Sequence, residues 1–388
     1  MRDAVIVDAV RAPVGKRNGA LSRTHAASLS AHVLNALVER TGLDPSVVDD
    51  VIWGCVETLG MQSQCIARSA VLSAGWPEHV PGVTVDRQCG SSQQAVHQAA
   101  AGVIAGQYDI AVAGGVELMS AVPLGTAATV GDFGDPYAPL ARERYHGTNY
   151  AKGLGPQSIA DEYGISRTEM DQHALDSHAR AADAIDEGRF KGQIAPIRVV
   201  DESGAQRLFD TDEGVRRGGT LESLAGLRPA FAADGTITAA TSSQISDGSA
   251  AVLVTTSEIA RANGWVPMAR IHTAVVTGTD PVTNLKGAIP ATAKALAKSG
   301  LSLSDIGTFE INEAFASVTL SWLRETGTDR ALLNPYGGAM AIGHPVGGSG
   351  ARLMTTLVHR MRDEGIRYGL QSMCEGGGMA NATILELL

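Results

Sequence analysis

Short apolar runs alternate along this chain with longer segments whose apolar residues recur at the three- and four-residue spacing of a helix. Val83–Val85 is one such run and predicts a short buried strand. The helix expected directly after it follows from apolar residues at Ala95, Val96, Ala99, Ala100, Val103 and Ile104. Strands that alternate with helices in this way predict an α/β fold with layered sheets.

The alternating pattern occurs twice. Residues 37–55 resemble residues 295–313, and residues 108–117 resemble residues 368–378. Two similar halves that face each other would bring their equivalent turns into one site. Residues 119–243 have no counterpart in this repeat, and the helical spacing within Ser166–Gly188 makes this insertion too ordered for a linker.

Composition excludes several classes of function. The net charge of -10 over 388 residues argues against nucleic acid as a partner. Apolar stretches stay below the roughly 18–20 residues that a membrane span requires. The four cysteines lack paired spacing, which fits a reducing, cytoplasmic compartment rather than a disulfide framework. The spacing of cysteine and histidine does not indicate a zinc site.

Cys89 is the first candidate for chemistry, because it falls between the predicted strand and helix. Gly90, Ser91 and Ser92 open that helix, and their small side chains leave room for a substrate. A thiol at this place would feel the positive end of the helix dipole, which lowers its pKa and favours the thiolate. The alternative is a buried core cysteine.

Three later segments add a histidine, an asparagine and a second cysteine on glycine-rich turns. They are NEAFA at 312–316, NPYGGAMAIGHPVGGSGAR at 334–352 and MCEGGGMANATILE at 373–386. Together with the Cys89 segment they resemble the thiolase family, the acyl-CoA C-acyltransferases of the acetyl-CoA acetyltransferase type. The resemblance runs nearly from end to end.

The resemblance implies the thiolase fold, in which two similar α/β halves are stacked in layers and a loop domain is inserted. The halves would be residues 1–118 plus about 244–266 and residues 267–388, and the loop domain covering coenzyme A would be residues 119–243. It also implies a homodimer or homotetramer. Coenzyme A would be a co-substrate, with neither a metal nor a permanently bound cofactor.

The same resemblance assigns roles to five residues. Cys89 matches the nucleophile, and His344, expected on an exposed turn between Gly343 and Pro345, matches the base that takes its proton. Cys374 matches the acid/base at the acetyl carbon. Asn312 would hold a water that forms one oxyanion hole with His344, and backbone N–H groups of Cys89 and Gly376 would form the other.

Coenzyme A is a polyanion, so an acidic protein must bind it at a locally basic place. The family pattern points to Arg216 as a phosphate contact, with Ser223 and Ser243 as further contacts, although the run around Ser243 departs from the usual family sequence. Other cations could serve the same purpose, namely Lys16, Arg17, Lys191, Arg207, Arg217 and Arg228.

Two segments depart from the family pattern where it closes the acyl pocket. In residues 151–157 and 280–287, Lys152 and Asn284 stand at the positions where the family usually has methionines, and Lys286 is close in sequence to Asn284. Because a buried unpaired lysine is costly, these groups could await an acidic substrate tail. The alternative is that Lys152 points to solvent. Ala380 also replaces a usual glycine of the last motif.

The sequence therefore predicts thiolytic cleavage of a 3-ketoacyl-CoA through an acyl-Cys89 intermediate. The substrate is expected to be larger or more polar than acetoacetyl-CoA, as in fatty-acid or steroid degradation. A biosynthetic acetoacetyl-CoA-forming thiolase is the alternative, since direction cannot be read from residues. A decarboxylating condensing enzyme, a non-catalytic acyl-CoA or lipid carrier, and a cysteine protease fit the motifs less well.

Overall fold

The computed structural model of the protein describes residues 2–129, 131, 134–146, 154–200 and 204–388. Its strands are β1 (Val5–Arg11), β2 (Gly15–Lys16), β3 (Asp50–Gly54), β4 (Gly82–Val85), β5 (Ile110–Leu118), β6 (Ile197–Val200), β7 (Gln206–Phe209), β8 (Ser246–Thr255), β9 (Ala269–Gly278), β10 (Thr308–Ile311), β11 (Tyr368–Glu375) and β12 (Met379–Leu387). Its α-helices are α1 (Ala26–Thr41), α2 (Ile66–Ser73), α3 (Ser91–Ala105), α4 (Thr126–Thr129), α5 (Pro139–Arg144), α6 (Leu154–Glu162), α7 (Arg167–Asp186), α8 (Leu221–Ala225), α9 (Ser257–Ala262), α10 (Ala288–Ser299), α11 (Ala316–Thr326) and α12 (Ser349–Glu364).

The main sheet repeats one pairing scheme in its two halves. In the first half, β3 runs parallel to β5, and β8 pairs antiparallel with both β5 and β1. In the second half, β10 runs parallel to β11, and β12 pairs antiparallel with both β11 and β9. Two residue pairs between β1 and β9 join the halves, namely Val5 with Arg270 and Ile6 with Ala269. This arrangement confirms the predicted α/β fold with two similar halves.

Helices α3 and α12 occupy equivalent places in the two halves and pack against each other. Both contribute to one apolar cluster that also contains residues of β1, β5 and β8. Their close approach depends on Gly350, because a Cβ there would lie 2.3 Å from the backbone nitrogen of Gln93. Outside this central layer, α1 and α2 cover the first half-sheet, and α10 and α11 cover the second.

The segment around Cys89 differs in part from its prediction. Strand β4 is the last strand of the main sheet rather than a buried one, so Val83 is 41% exposed. In α3 the predicted apolar positions are buried except Ile104, which is 47% exposed. A strand at the sheet edge lacks a neighbour on one side, and its side chains keep contact with solvent.

The predicted helix within Ser166–Gly188 is α7, which begins after the N-cap Ser166. Its apolar residues Met170 and Ala174 pack with Ala316 and Leu320 of α11. The segment between β5 and β8 is thereby attached to the second half. Among the described residues, every helix is too short or too polar to span a membrane.

Candidate active site

Cys89 lies on a tight turn that connects β4 with α3. Gln88 adopts a left-handed conformation with φ of 49°, and Ser91 N–H donates to the Gln88 carbonyl at 3.0 Å. Ser91 Oγ closes the turn by donating to the same carbonyl at 2.6 Å and accepting from Arg87 N–H. The Cys89 side chain is partly exposed, so a substrate can reach it.

The end of β11 brings the second cysteine to the same place. The backbone N–H groups of Cys89 and Gly376 lie near enough to the Cys89 sulfur to lower its pKa, and the Cys374 thiol is near enough for its pKa to respond to the charge of Cys89. Gly377 and Gly378 have φ of 78° and 74°, a conformation that favours glycine. The two predicted thiols and the Gly376 N–H therefore converge.

Asn312 links Cys374 with His344. Its side-chain amide lies near enough to the Cys374 sulfur to lower the pKa of that thiol, and its Nδ2 lies 3.5 Å from His344 Nε2. The Asn312 Oδ1 atom is buried and has no hydrogen-bond partner among the described residues. This oxygen and the two nearby groups form a polar corner in which a water molecule would find acceptors and donors.

His344 is 4% exposed, which corrects the expectation of an exposed turn. Ser349 Oγ lies 2.6 Å from His344 Nδ1 and donates its own proton to the Pro345 carbonyl at 2.9 Å. The hydroxyl must then accept from Nδ1–H, so Nε2 carries the free lone pair. Burial, together with the charge of Arg352, lowers the pKa of His344 to about 3. The ring is therefore neutral at physiological pH.

The pKa of Cys89 moves opposite to the sequence-based expectation. Burial, which is the largest influence, and the charge of Glu375 together raise it to about 12, against the smaller opposite effect of the Cys89 and Gly376 N–H groups. Burial also raises the pKa of the Cys374 thiol. The free enzyme thus keeps both sulfurs protonated, and ionisation of Cys89 requires proton transfer to a base.

Glu117, which sequence reasoning did not identify, holds the turns in place. Its buried carboxylate accepts from Val56 N–H at 2.9 Å, from Gln62 Nε2 at 2.7 Å and from Gly347 N–H at 2.9 Å. The last contact attaches the turn after His344 to the first half of the molecule. The only sequence signal was a carboxylate at the end of an apolar strand, in Ile110–Leu118.

Arg216 and Ser223 line one cavity of about 350 Å³ together with His178. The backbone N–H of Arg216 donates to His178 Nδ1 at 3.0 Å. Its guanidinium makes no ion pair within the described residues, whereas that of Arg217 is paired with Asp186 at 2.7 Å. Burial and the charge of Arg216 lower the pKa of His178 to about 4, so the cavity holds a neutral imidazole beside a free cation.

The remaining basic and hydroxyl candidates lie in other surroundings. Ser243 is adjacent to Gln244 of the Arg216 cavity and donates its N–H to the Ala314 carbonyl at 2.9 Å. Lys191 lines a second cavity, and Lys16 and Arg207 line a third. The structure therefore groups Arg216 and Arg217 with Ser223 in one cavity, whereas Lys191, Lys16 and Arg207 line other cavities.

Two of the three proposed pocket residues, Asn284 and Lys286, are paired within the protein and do not await a substrate tail. Lys286 Nζ lies 2.7 Å and 2.8 Å from the carboxylate oxygens of Glu162. Asn284 Oδ1 accepts from Gly378 N–H at 3.1 Å and so supports the turn after Cys374. Lys152 lies outside the described residues. Histidine, cysteine and carboxylate groups do not cluster into a metal site in the described part of the chain.

Comparisons with known proteins show which family the chain is similar to. The model of the thiolase N-terminal domain matches residues 4–258, and that of the thiolase C-terminal domain matches residues 265–387. The steroid 3-ketoacyl-CoA thiolase FadA6 of Mycobacterium tuberculosis is 48% identical over 100% of this chain and 95% of its own length. A 3-ketoacyl-CoA thiolase of Escherichia coli is 43% identical over 100% of both chains. The crystal structure of the Bacillus anthracis acetyl-CoA acetyltransferase has a TM-score of 0.90 at 37% identity and covers 100% of this chain and 99% of that chain.

Proposed function

The chain belongs to the thiolase family, and from this membership we propose that it is a degradative 3-ketoacyl-CoA thiolase acting through Cys89. It is thus an acyltransferase. One observation carries the catalytic assignment: Asn312 lies beside both Cys374 and His344, and the Gly376 N–H lies near enough to the Cys89 sulfur to lower its pKa. Two thiols, one neutral imidazole and one amide share a single site, as a two-step acyl transfer requires.

In the first half of the reaction, His344 Nε2 takes the proton of Cys89. The resulting thiolate attacks the keto carbon, and the N–H groups of Cys89 and Gly376 stabilise the charge that develops on the sulfur and on the neighbouring oxygen. The bond between the second and third acyl carbons breaks, and its electron pair forms the enolate of acetyl-CoA. Cys374 protonates that carbon, and acetyl-CoA leaves.

In the second half, free coenzyme A gives its thiol proton to the Cys374 thiolate and attacks the Cys89 thioester. The shortened acyl-CoA leaves, and Cys89 regains the proton from His344. Asn312 and His344 would stabilise the thioester oxygen of acetyl-CoA when it carries enolate charge. The neutral state of His344 supports this assignment, because only an unprotonated imidazole can accept the proton of Cys89.

Coenzyme A would bind against the segment between β5 and β8. The Arg216 guanidinium is suited to a phosphate, because Asp186 neutralises Arg217 but not Arg216. Ser223 lies in the same cavity, and Ser243 would reach the pantetheine arm. This assignment agrees with a loop domain at residues 119–243 between halves at residues 1–118 plus about 244–266 and at residues 267–388.

The acyl group is proposed to be larger than acetoacetyl. The relative from Mycobacterium tuberculosis acts, by its name, on a steroid-derived 3-ketoacyl-CoA, and its 48% identity supports a bulky substrate here. Recognition of an acidic tail by Lys286 is disfavoured, since Glu162 already neutralises that lysine. The likeness to the Bacillus anthracis acetyltransferase supports short-chain condensation as the second candidate.

We further propose a cytoplasmic homodimer or homotetramer. Strand β4 supports association, because it ends the main sheet and leaves Val83 41% exposed.

The decisive experiment is transfer of acetyl from acetyl-CoA to the enzyme, followed by mass spectrometry of the Cys89 peptide. We expect an acetyl adduct on wild-type protein that Cys89→Ala abolishes. Cys374→Ser should still form the adduct but lose exchange of the acetyl protons with solvent. A rate panel of acetoacetyl, long-chain and steroid-derived substrates then separates a bulky acyl group from the short-chain acyl group of the second candidate. An adduct that persists in Cys89→Ala would refute the assignment.

A further inference from the structure

One buried carboxyl group at this site has no part in the reaction just described. Glu375 follows Cys374 on β11, so the two side chains project to opposite faces of the sheet. On the same face as Glu375, Gln371 Nε2 donates to Gln93 Oε1 of α3 at 2.8 Å. The carboxyl group therefore lies on the α3 side, beneath the turn that carries Cys89.

Glu375 occupies the space that Gly90 leaves. A Cβ at position 90 would lie 1.9 Å from Glu375 Oε1 and 2.7 Å from Asn381 Nδ2. Asn381 Nδ2 also donates to the Gly90 carbonyl at 3.1 Å. The nucleophile's turn thus rests directly on a carboxyl group and an amide from the second half of the molecule, and glycine is required at position 90 for this contact.

The carboxyl group is buried without a hydrogen-bond partner among the described residues. Glu375 has 0% exposure, and neither of its carboxylate oxygens has a hydrogen-bond partner among the described residues. Two charged groups face it from the turn before α3, since Arg87 lowers its pKa and Asp86 raises it. Burial is the largest influence and raises the pKa of Glu375 to about 8. The group is therefore mainly a neutral acid at pH 7.

The charge of Glu375 acts directly on the two sulfurs. When ionised, it raises the pKa of Cys89 and that of Cys374. A neutral carboxyl group leaves both thiols free of this effect. Because the coupling of two charges is reciprocal, formation of the Cys89 thiolate also favours the protonated form of Glu375.

We propose that Glu375 is a positioning residue for the nucleophile: as a neutral acid it supports the Cys89 turn, and as an anion it holds Cys89 in the thiol form. This inference rests on the proposed function of Cys89. It assigns the reactivity of Cys89 a break at alkaline pH that comes from a residue outside the reaction itself. This break depends on the carboxyl group of Glu375 and not on the thiols, amide and imidazole of the site.

The test is the rate of Cys89 alkylation by iodoacetamide between pH 6 and pH 10, with Glu375→Gln compared with wild type. Glutamine keeps the shape of the side chain but cannot ionise. We expect equal rates at pH 6.5. At pH 9.5 the Glu375→Gln variant should react about tenfold faster, which corresponds to one pKa unit of coupling between the two groups. The wild-type profile should flatten near pH 8 and then rise again.

Glu310→Gln is the matched control. Glu310 is also fully buried, its two oxygens also have no hydrogen-bond partner among the described residues, and burial raises its pKa to about 8. Its charged neighbours are Arg352, Arg360 and Glu313 rather than the Cys89 turn. Glu310→Gln should therefore leave the shape of the alkylation profile unchanged.

Glu375→Ala separates charge from packing. Its profile should lose the break near pH 8, as in Glu375→Gln, while its free energy of unfolding falls because space opens beneath the turn. Parallel profiles for wild type and Glu375→Gln would overturn the proposal, as would a wild-type profile without the break. Thiolysis measured on the same samples distinguishes this failure from failure of the proposed function, which would instead show alkylation without turnover.

Discussion

Replacement of Ser349 by alanine should impair the enzyme through His344, although Ser349 does not contact the substrate carbon. The Ser349 hydroxyl accepts from His344 Nδ1–H at 2.6 Å and donates to the Pro345 carbonyl at 2.9 Å. Alanine removes both hydrogen bonds where His344 is only 4% exposed. Water cannot readily replace the lost partners, and the imidazole is free to place its proton on Nε2.

Two separate effects follow, and their sizes can be estimated. The Pro345 carbonyl keeps its hydrogen bond from Gly348 N–H at 2.9 Å, so only His344 Nδ1 loses its partner. A buried polar group without a partner costs about 1–3 kcal/mol, and the free energy of unfolding should fall by about that amount. A general base contributes about 10²–10⁴-fold to a rate, which sets the upper limit of the kinetic loss. Without Ser349 the imidazole can still place its proton on Nδ1 and leave Nε2 as the base, but at a cost in free energy. We therefore expect acylation of Cys89 to be tenfold to hundredfold slower.

The assay is single-turnover acetylation of Cys89 by acetyl-CoA, with urea unfolding on the same preparations. Thr355→Val serves as the matched control. Thr355 is a buried hydroxyl on the same helix, but it donates only to the Ala351 carbonyl of that helix at 2.8 Å. Thr355→Val should reduce stability slightly and leave acetylation unchanged. Wild-type acetylation in Ser349→Ala, or an equal kinetic loss in Thr355→Val, would refute the role of Ser349 in fixing the tautomer.

Two further outcomes are expected. Arg216→Ala should raise KM for coenzyme A with little change in kcat. Arg217→Ala should leave KM unchanged, because Asp186 already neutralises Arg217. Equal effects of the two substitutions in steady-state kinetics would contradict this. Below pH 6.5 the free energy of unfolding should fall by up to about 1.4 kcal/mol per pH unit for each buried histidine, because the unfolded state takes up protons that the folded state cannot. The buried carboxyl groups of Glu310 and Glu375, whose pKa values are raised to about 8, act in the opposite direction, so the histidine effect is measured by comparing wild type with a variant that lacks one histidine, such as His97→Gln. In urea unfolding between pH 5 and pH 7 the variant should lose less stability than wild type as the pH falls, and parallel profiles would contradict this. The histidines concerned have pKa values lowered by burial, to about 3 at His97, His173 and His344 and to about 4 at His359.

The sequence predicts the parts of the site that depend on local pattern. A strand, a glycine-rich turn and a helix around Cys89 can be read directly, and the repeated arrangement of strands and helices predicts two similar halves. These features come from short-range preferences, which act over a few residues. The fold class is confirmed for that reason, together with the helix at Arg167–Asp186.

What the sequence could not predict depends on contacts between distant residues. Lys286 is paired with Glu162, 124 residues away, and this pairing removes the cation that seemed available to a substrate. Gly90 is a neighbour of Glu375 only because two half-sheets meet at α3. Burial of Cys89 likewise reverses the pKa shift expected from the helix dipole, since desolvation exceeds the effect of the dipole.

The order of strands in the sheet bears on how the protein is made in the cell. Strand β8 lies between β1 and β5, so the first half-sheet stays incomplete until residues 246–255 have been synthesised. Strand β12 likewise lies between β9 and β11, and the second half-sheet must wait for residues 379–387. A nascent chain therefore carries the Cys89 thiol through most of translation without Cys374 or His344. Fragments from interrupted synthesis would lack both half-sheets in finished form, and they would not consume acyl-CoA.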